Sequence, residues 1–254
     1  MTTGYAYHEV FGWHDTSSYA GLFPSDPLAG LQPFSHLEHP ETKRRIHELV
    51  VVSGLIDHLV RIPTRLATDE EILRVHTPEH LARIAAESEL PKGGDAGDGI
   101  SPFGHNGIEI ARRAAGTVVA CVDAVLDGTV DNAYALVRPP GHHAIAGTGM
   151  GFCTFGNLAI AAAHAKQVRG VGRIAVALAG PAAAAPGRIP LGAAVGIGFL
   201  ERLRLARDRQ QGAGRRAGAD DPDDERAAAH LARRLHRPSP HDEHKRFPRP
   251  ARGG

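Results

Sequence analysis

The chain has 254 residues, of which 42% are hydrophobic and 22% charged, with a formal net charge of +1. This length suffices for one α/β domain, or two small ones, with a sizeable core. The near-zero charge excludes a chain that is basic enough throughout to be a general nucleic-acid binder. No run approaches the roughly 18 apolar residues expected of a membrane span. Because there is no apolar leader and only two cysteines, Cys121 and Cys153, we expect a cytoplasmic protein without disulfides.

The first half of the chain shows helical patterns separated by a polar loop. Pro40 and Glu41 begin a stretch with apolar residues at helical spacing, and Pro78 and Glu79 begin a second, shorter helix. A Gly/Asp/Pro-rich loop follows over residues 95–104. The next segment, 106–127, is predicted to be a long amphipathic helix capped by its first residue, an asparagine.

Strand patterns alternate with helices further along. Residues 134–137 predict a buried strand, which Pro139 and Gly141 end. Residues 157–165 are rich in alanine and predict a helix, and residues 173–176 predict the start of another strand. This alternation favours an α/β fold with a parallel sheet flanked by helices.

The composition changes after Ala177. Residues 178–254 contain 16 Ala, 10 Gly, 8 Pro and 14 Arg, together 48 of 77 residues, and no tyrosine or tryptophan. Such a segment buries little apolar area against the entropy of ordering it, which predicts a disordered, weakly basic tail. The same four residues have GC-rich codons, so a shift of the reading frame explains the composition too, and we favour that interpretation. The predicted organisation is one α/β domain over 1–177 and a tail over 178–254.

Two loops carry a distinctive pattern. The first places His142 and His143 side by side after the string Arg-Pro-Pro-Gly, and the second contains Gly151-Phe-Cys153. Together they resemble the active-site signature of the histone deacetylase family, zinc amidohydrolases that remove acetyl groups from acetyl-lysine, acetylpolyamines and similar amides. The sequence His-Asp-Thr at 14–16 resembles the bacterial branch related to class II enzymes. The resemblance implies an arginase/deacetylase-like three-layer α/β fold with a central parallel sheet, incomplete in this chain.

The resemblance also implies roles for individual residues. His142 would be the base that takes a proton from the attacking water, and His143 the general acid or electrostatic partner. Gly151 would offer a backbone contact, Phe152 one wall of a narrow tunnel, and Cys153 a surface near the acetyl methyl group. An acid on the 95–102 loop would grip the substrate backbone, and Asp95 and Asp98 both remain candidates.

The metal site that the family needs is missing from the sequence. The resemblance implies zinc (Zn2+), held by ligands from an Asp-x-Asp-x-His-His-Gly pattern and a later aspartate, but no metal ligand can be assigned here. Tyr134 is the last tyrosine, so the usual oxyanion donor is missing as well. We therefore expect little or no deacetylase activity and marginal stability, with the apolar surface of helix 106–127 left without a partner.

The sequence is compatible with three functions. The first is a truncated or frame-shifted zinc-dependent deacetylase whose partner is an acetylated small molecule or an acetyl-lysine peptide. The second is a catalytically dead remnant that binds acetylated ligands or a protein partner. The third, a nucleic-acid role for the arginine-rich tail, is weak because acids such as Asp220 and Asp221 dilute its charge and aromatic residues are scarce in it. The oligomeric state is left open.

Overall fold

A three-stranded parallel sheet lies at the centre of the fold. The computed structural model describes residues 1–17, 30, 32 and 36–176. The sheet consists of β1 (Thr3–Ala6), β2 (Val60–Arg61) and β5 (Asn132–Ala135) in the order β2-β1-β5. Both neighbours run parallel to the central strand β1. The predicted α/β class with a parallel sheet is therefore confirmed.

Five α-helices and a small antiparallel pair of strands complete the described part. The helices are α1 (Glu41–Val52), α2 (Asp69–Leu73), α3 (Pro78–Ser88), α4 (Gly107–Leu126) and α5 (Asn157–Gln167), and the two short strands are β3 (Gly94–Asp95) and β4 (Pro102–Phe103). Single 3-10 turns occur at Glu9–Trp13 and Leu55–His58. In this part of the chain no helix is both long and apolar enough to cross a membrane.

Helix α4 is the centre of the core, so the prediction that its apolar surface lacks a partner is wrong. Val118 and Val122 are buried in one cluster with Phe155 and residues of α5, while Cys121 and Val125 are buried in a second cluster beneath β1. Alanine and glycine residues on successive turns of α4 let the neighbouring segments approach closely. This close packing removes apolar surface from water. The neighbouring helices therefore cover the apolar surface of α4 that the prediction left without a partner.

The start of α4 differs from the prediction in one respect. Asn106 is in the left-handed conformation and its side chain makes no capping hydrogen bond. Instead, Ser88 at the end of α3 supplies both acceptors: its hydroxyl accepts from the Ile108 N–H at 3.0 Å and its carbonyl from the Asn106 N–H at 2.9 Å. The cap therefore comes from a residue that lies close in space but not in sequence.

Two strand predictions need correction. Strand β5 spans residues 132–135 rather than 134–137, because these four residues pair in register with β1, and it is only partly buried. Residues 173–176 form no strand, since no described strand lies beside them to pair with, although Ile174 packs against the core. The predicted tail over 178–254 lies outside the described residues, as does Ala177.

Candidate functional site

The loop that carries the paired histidines is anchored by Arg138. This side chain is fully buried and uses all five N–H donors. Nε donates to the Glu38 carboxylate at 2.6 Å, Nη1 to the carbonyls of Phe11 and His14, and Nη2 to the Thr16 hydroxyl and the Glu38 carbonyl. Burial lowers the pKa of Arg138 while Glu38 opposes that shift. One guanidinium thus ties the histidine loop to the N-terminal segment.

The predicted histidines lie side by side against the predicted tunnel cysteine. The backbone N–H groups of His142 and His143 each donate to Cys153 Sγ at 3.4 Å, and the two imidazole centroids are 4.0 Å apart. Burial lowers the pKa of His142, and the neighbouring His143 and Lys43 side chains lower it further. His142 is therefore neutral near pH 7 and able to accept a proton.

One ring nitrogen of this pair has no support. His142 Nδ1 is buried and has no hydrogen-bond partner in the described part of the chain. A carboxylate at this atom would fix the tautomer and raise the basicity of the ring. Without a carboxylate beside it, burial of Nδ1 without a hydrogen bond costs free energy.

Gly151 and Phe152 form a strained corner beside the histidines. Both residues have left-handed backbones, with φ of 56° and 69°, and such a conformation is rare for a bulky side chain. A Cβ at Gly151 would lie 2.6 Å from His143 Cδ2, so only glycine allows this approach. The Phe152 ring meets His36 edge to face at 5.0 Å. Strain of this kind clusters at functional sites.

The acids of the 95–101 loop have different environments. Asp95 accepts from the backbone N–H groups of Gly97, Gly99 and Ser101, so its carboxylate is used to shape the loop. Asp98 is exposed and accepts from the Gly151 N–H at 2.6 Å. Although burial pushes the pKa of Asp98 upward, hydrogen bonds led by that from Gly151 outweigh it and lower the pKa.

The thiol of Cys153 forms the floor beneath the pair. It is fully buried, and burial raises its pKa, so it stays protonated and apolar in character. The structure therefore brings His142, His143, Gly151 and Cys153 into one contact group. Asp98 joins this group through Gly151, whereas Asp95 does not touch it.

Two further histidines, His76 and His80, form hydrogen bonds to the backbone of the segment 146–156. His76 Nε2 accepts from the Gly156 N–H at 2.9 Å while Nδ1–H donates to the Ala146 carbonyl, and His80 Nε2–H donates to the Thr154 carbonyl. Neither histidine is among the candidate site residues that the sequence predicts. The two lie four residues apart in the sequence, His76 just before α3 and His80 in its first turn, and this spacing is the sequence feature that could have pointed to a shared role.

The stability of the fold should decrease with acidification because of His76. Burial and then the charge of His80 lower its pKa to about 4, below the ordinary 6.5 of an unfolded chain. The unfolded state therefore binds more protons between these values, and stability present above pH 6.5 is lost as the pH falls towards 4. We expect a loss of roughly 2–3 kcal/mol in the unfolding free energy from this residue, measured by urea unfolding at pH 7 and 4.

The test variant is His76→Asn, and the matched control is His58→Asn. The first should flatten the pH dependence, and the second, at an exposed position, should leave it unchanged. Equal pH dependence in the wild type and His76→Asn would contradict the assignment.

Comparison with known proteins gives this geometry a context. The model of the histone deacetylase domain matches residues 36–177, more than half of the chain. The chain belongs to the histone deacetylase family.

The relatives extend from bacteria to animals. The chain is 43% identical over 179 residues to the histone deacetylase-like amidohydrolase of Pseudomonas aeruginosa, covering 68% of this chain and 46% of that protein. It is 40% identical over 149 residues to the human polyamine deacetylase HDAC10, covering 57% and 22% respectively. The crystal structure of the HDA15 HD domain aligns with a TM-score of 0.57 at 28% identity, covering 66% of this chain and 44% of that one. The chain thus spans less than half of these proteins.

The described residues do not fit the zinc that the deacetylase family implies. Across residues 1–17 and 36–176, no three His, Cys, Asp or Glu side chains converge in a way that could hold a metal ion. A catalytic zinc ordinarily needs three protein ligands. The unpartnered His142 Nδ1 is consistent with the missing zinc ligands. The carboxylates that would orient the histidine pair belong to the same Asp-x-Asp-x-His-His-Gly pattern, which the sequence lacks.

Proposed function

We propose that this chain provides the proton-transfer pair and one wall of the substrate channel of a deacetylase acting on acetyl-lysine or acetylpolyamine-type amides. The observation that carries the proposal is the contact group of His142, His143, Gly151 and Cys153. Two relatives are named as a deacetylase-like amidohydrolase and a polyamine deacetylase, which supports an acetylated amide as the substrate. We also propose that the protein is cytoplasmic.

The proposed chemistry is hydrolysis of the amide C–N bond. His142, neutral at pH 7, would take a proton from a water whose oxygen attacks the acetyl carbonyl. His143 would donate a proton to the departing amine, so that the products are acetate and a free amine. The apolar faces of Phe152 and Cys153 would exclude other water from the acetyl group.

Asp98 is proposed as the acid that grips the substrate, in preference to Asp95. Asp98→Asn should weaken binding of an acetyl-lysine peptide roughly tenfold, the size of about one charged hydrogen bond, with little change in melting temperature. Asp95→Asn should lower the melting temperature, because three backbone N–H groups lose a charged acceptor. The reverse pattern, with Asp95→Asn affecting only binding, would exchange the two roles.

We further propose that catalysis by this chain is impaired. Neither the described residues nor the amino-acid sequence after 176 supplies a recognisable set of metal ligands. The catalytically dead remnant that binds acetylated ligands is the second candidate, and the unpartnered His142 Nδ1 favours it.

The composition change is proposed to mark a shift of the reading frame. The family match ends at residue 177, where the Ala/Gly/Pro/Arg-rich segment begins. Sequencing codons 170–185 and translating all three frames tests this. An Asp-x-Asp-x-His-His-Gly pattern in another frame supports it, and its absence from every frame contradicts it.

The function is tested by ligand binding and turnover together. N-acetylputrescine and an acetyl-lysine peptide should bind the purified chain in saturation-transfer NMR in preference to their unacetylated forms. His142→Ala should abolish any turnover of an acetyl-lysine reporter, whereas the exposed control His58→Ala should not. No preference for acetylated ligands would refute the channel, and a zinc-loaded, fully active preparation would refute the impairment.

A further inference from the structure

The strained corner at Gly151 and Phe152 is held by the loop that carries Asp98. The Gly151 N–H donates to Asp98 Oδ2 at 2.6 Å, and the next N–H, that of Phe152, donates to Ser101 Oγ at 2.7 Å. Two consecutive residues with left-handed backbones are thus each fixed by one side chain of the same loop. A conformation this rare for a phenylalanine persists only where its surroundings hold it in place.

The backbone of Ser101 is itself fixed on both sides. Its N–H donates to Asp95 Oδ2 at 3.0 Å, and its carbonyl accepts from the Ala96 N–H at 2.8 Å. The residue is buried, with 2% of its surface exposed. Its hydroxyl therefore meets the Phe152 N–H from a defined position, which is what precise placement of a neighbouring group requires.

The Ser101 hydroxyl also links the corner to Asp98. Because a hydroxyl both accepts and donates, its oxygen serves Phe152 while its proton serves the Asp98 carboxylate. Burial raises the pKa of Asp98, but hydrogen bonds from the Gly151 N–H and then from the Ser101 side chain help to outweigh burial and lower it. Asp98, Ser101, Gly151 and Phe152 thus form one hydrogen-bonded unit, hereafter the corner clamp.

The corner clamp lies directly against the proposed proton donor, His143. A Cβ at Gly151 would come within 2.6 Å of His143 Cδ2, so the Gly151 backbone bounds the space of the imidazole. The backbone of His143 is tied to the same segment, because its N–H donates to Cys153 Sγ at 3.4 Å. Any movement of the corner therefore changes the room that the His143 ring can occupy.

We infer that Ser101 is a positioning residue for His143: its hydroxyl fixes the left-handed corner against which the imidazole packs. This role differs from that of Asp98, which is exposed and is proposed to grip the substrate. The inference rests on the proposed function for the use that His143 makes of its position, since a displaced donor transfers its proton less efficiently. The position itself is measurable without turnover.

Paired serine variants of the full chain test the inference. Ser101→Ala removes the acceptor of the Phe152 N–H, and the control Ser88→Ala removes another buried hydroxyl, which accepts from the Ile108 N–H at 3.0 Å. Both should lower the melting temperature, since each leaves a backbone N–H without its acceptor. Only Ser101→Ala should shift the ring resonances of His143 in proton–carbon NMR spectra by more than a line width. Ser101→Thr, which restores a hydroxyl, should return them towards their wild-type positions.

The unaltered chain supplies a measurement that does not depend on the folding of a variant. The Phe152 amide should exchange with deuterium at least about 100-fold more slowly than in an unstructured peptide. Exchange at the unstructured rate would overturn the inference, and so would His143 resonances that shift equally in Ser101→Ala and Ser88→Ala. Resonances that shift as expected in a chain that binds no acetylated ligand would support the positioning and contradict only the proposed function.

Discussion

Replacing Arg138 with lysine is expected to destabilise the protein by about 2–6 kcal/mol, because at least two of its five buried acceptors lose their donor at about 1–3 kcal/mol each. Arg138 donates hydrogen bonds to five acceptors, which belong to the N-terminal segment and to Glu38. A lysine has three donors on one nitrogen and cannot reach both sides of this group. The Glu38 carboxylate, itself buried, would be left with only Thr42 and Lys43.

Urea unfolding followed by circular dichroism measures this loss. The matched control is Arg45→Lys, the same substitution on the exposed surface of α1, which should change the unfolding free energy by less than about 0.5 kcal/mol. Unfolding curves that coincide for Arg138→Lys and the wild type would show that the guanidinium does not anchor the loop.

Replacing Gly151 with alanine is expected to damage the site more than the fold. The left-handed backbone costs an alanine about 1–2 kcal/mol. The added methyl would also lie 2.6 Å from His143 Cδ2, so the imidazole must move. Because displacing a reacting group by about 1 Å costs on the order of 100-fold, any turnover should fall by roughly that factor.

Gly147→Ala is the matched control. Gly147 lies in the same loop region, its backbone is outside the left-handed region, and a Cβ there would meet no atom within 4 Å. The melting temperature, the affinity for an acetyl-lysine peptide and the NMR resonances of the His143 ring should all change in Gly151→Ala and stay constant in Gly147→Ala. Unchanged His143 resonances in Gly151→Ala would contradict the close approach.

Local patterns predicted most of the helices well. The helix beginning at Pro78 buries Leu81 and Ile84, because the proline at its start and the apolar spacing both favour a helix at this point. Strands were harder to predict. Strand β1 has four residues and no clear alternation, and it exists because β2 and β5 pair with it on both sides. Residues 173–176 show the converse, a strand-like sequence that pairs with no strand in the described part of the chain.

The amino-acid sequence by itself determined the family and the candidate residues, because adjacent histidines after Pro-Gly and the Gly-Phe-Cys string are local patterns. Only the tertiary structure distinguished Asp98 from Asp95, since their difference lies in which backbone N–H groups surround each carboxylate. It also revealed the roles of Arg138 and His76, whose partners are distant in sequence. Hydrogen bonds of this kind depend on the path of the whole chain, which no short pattern encodes.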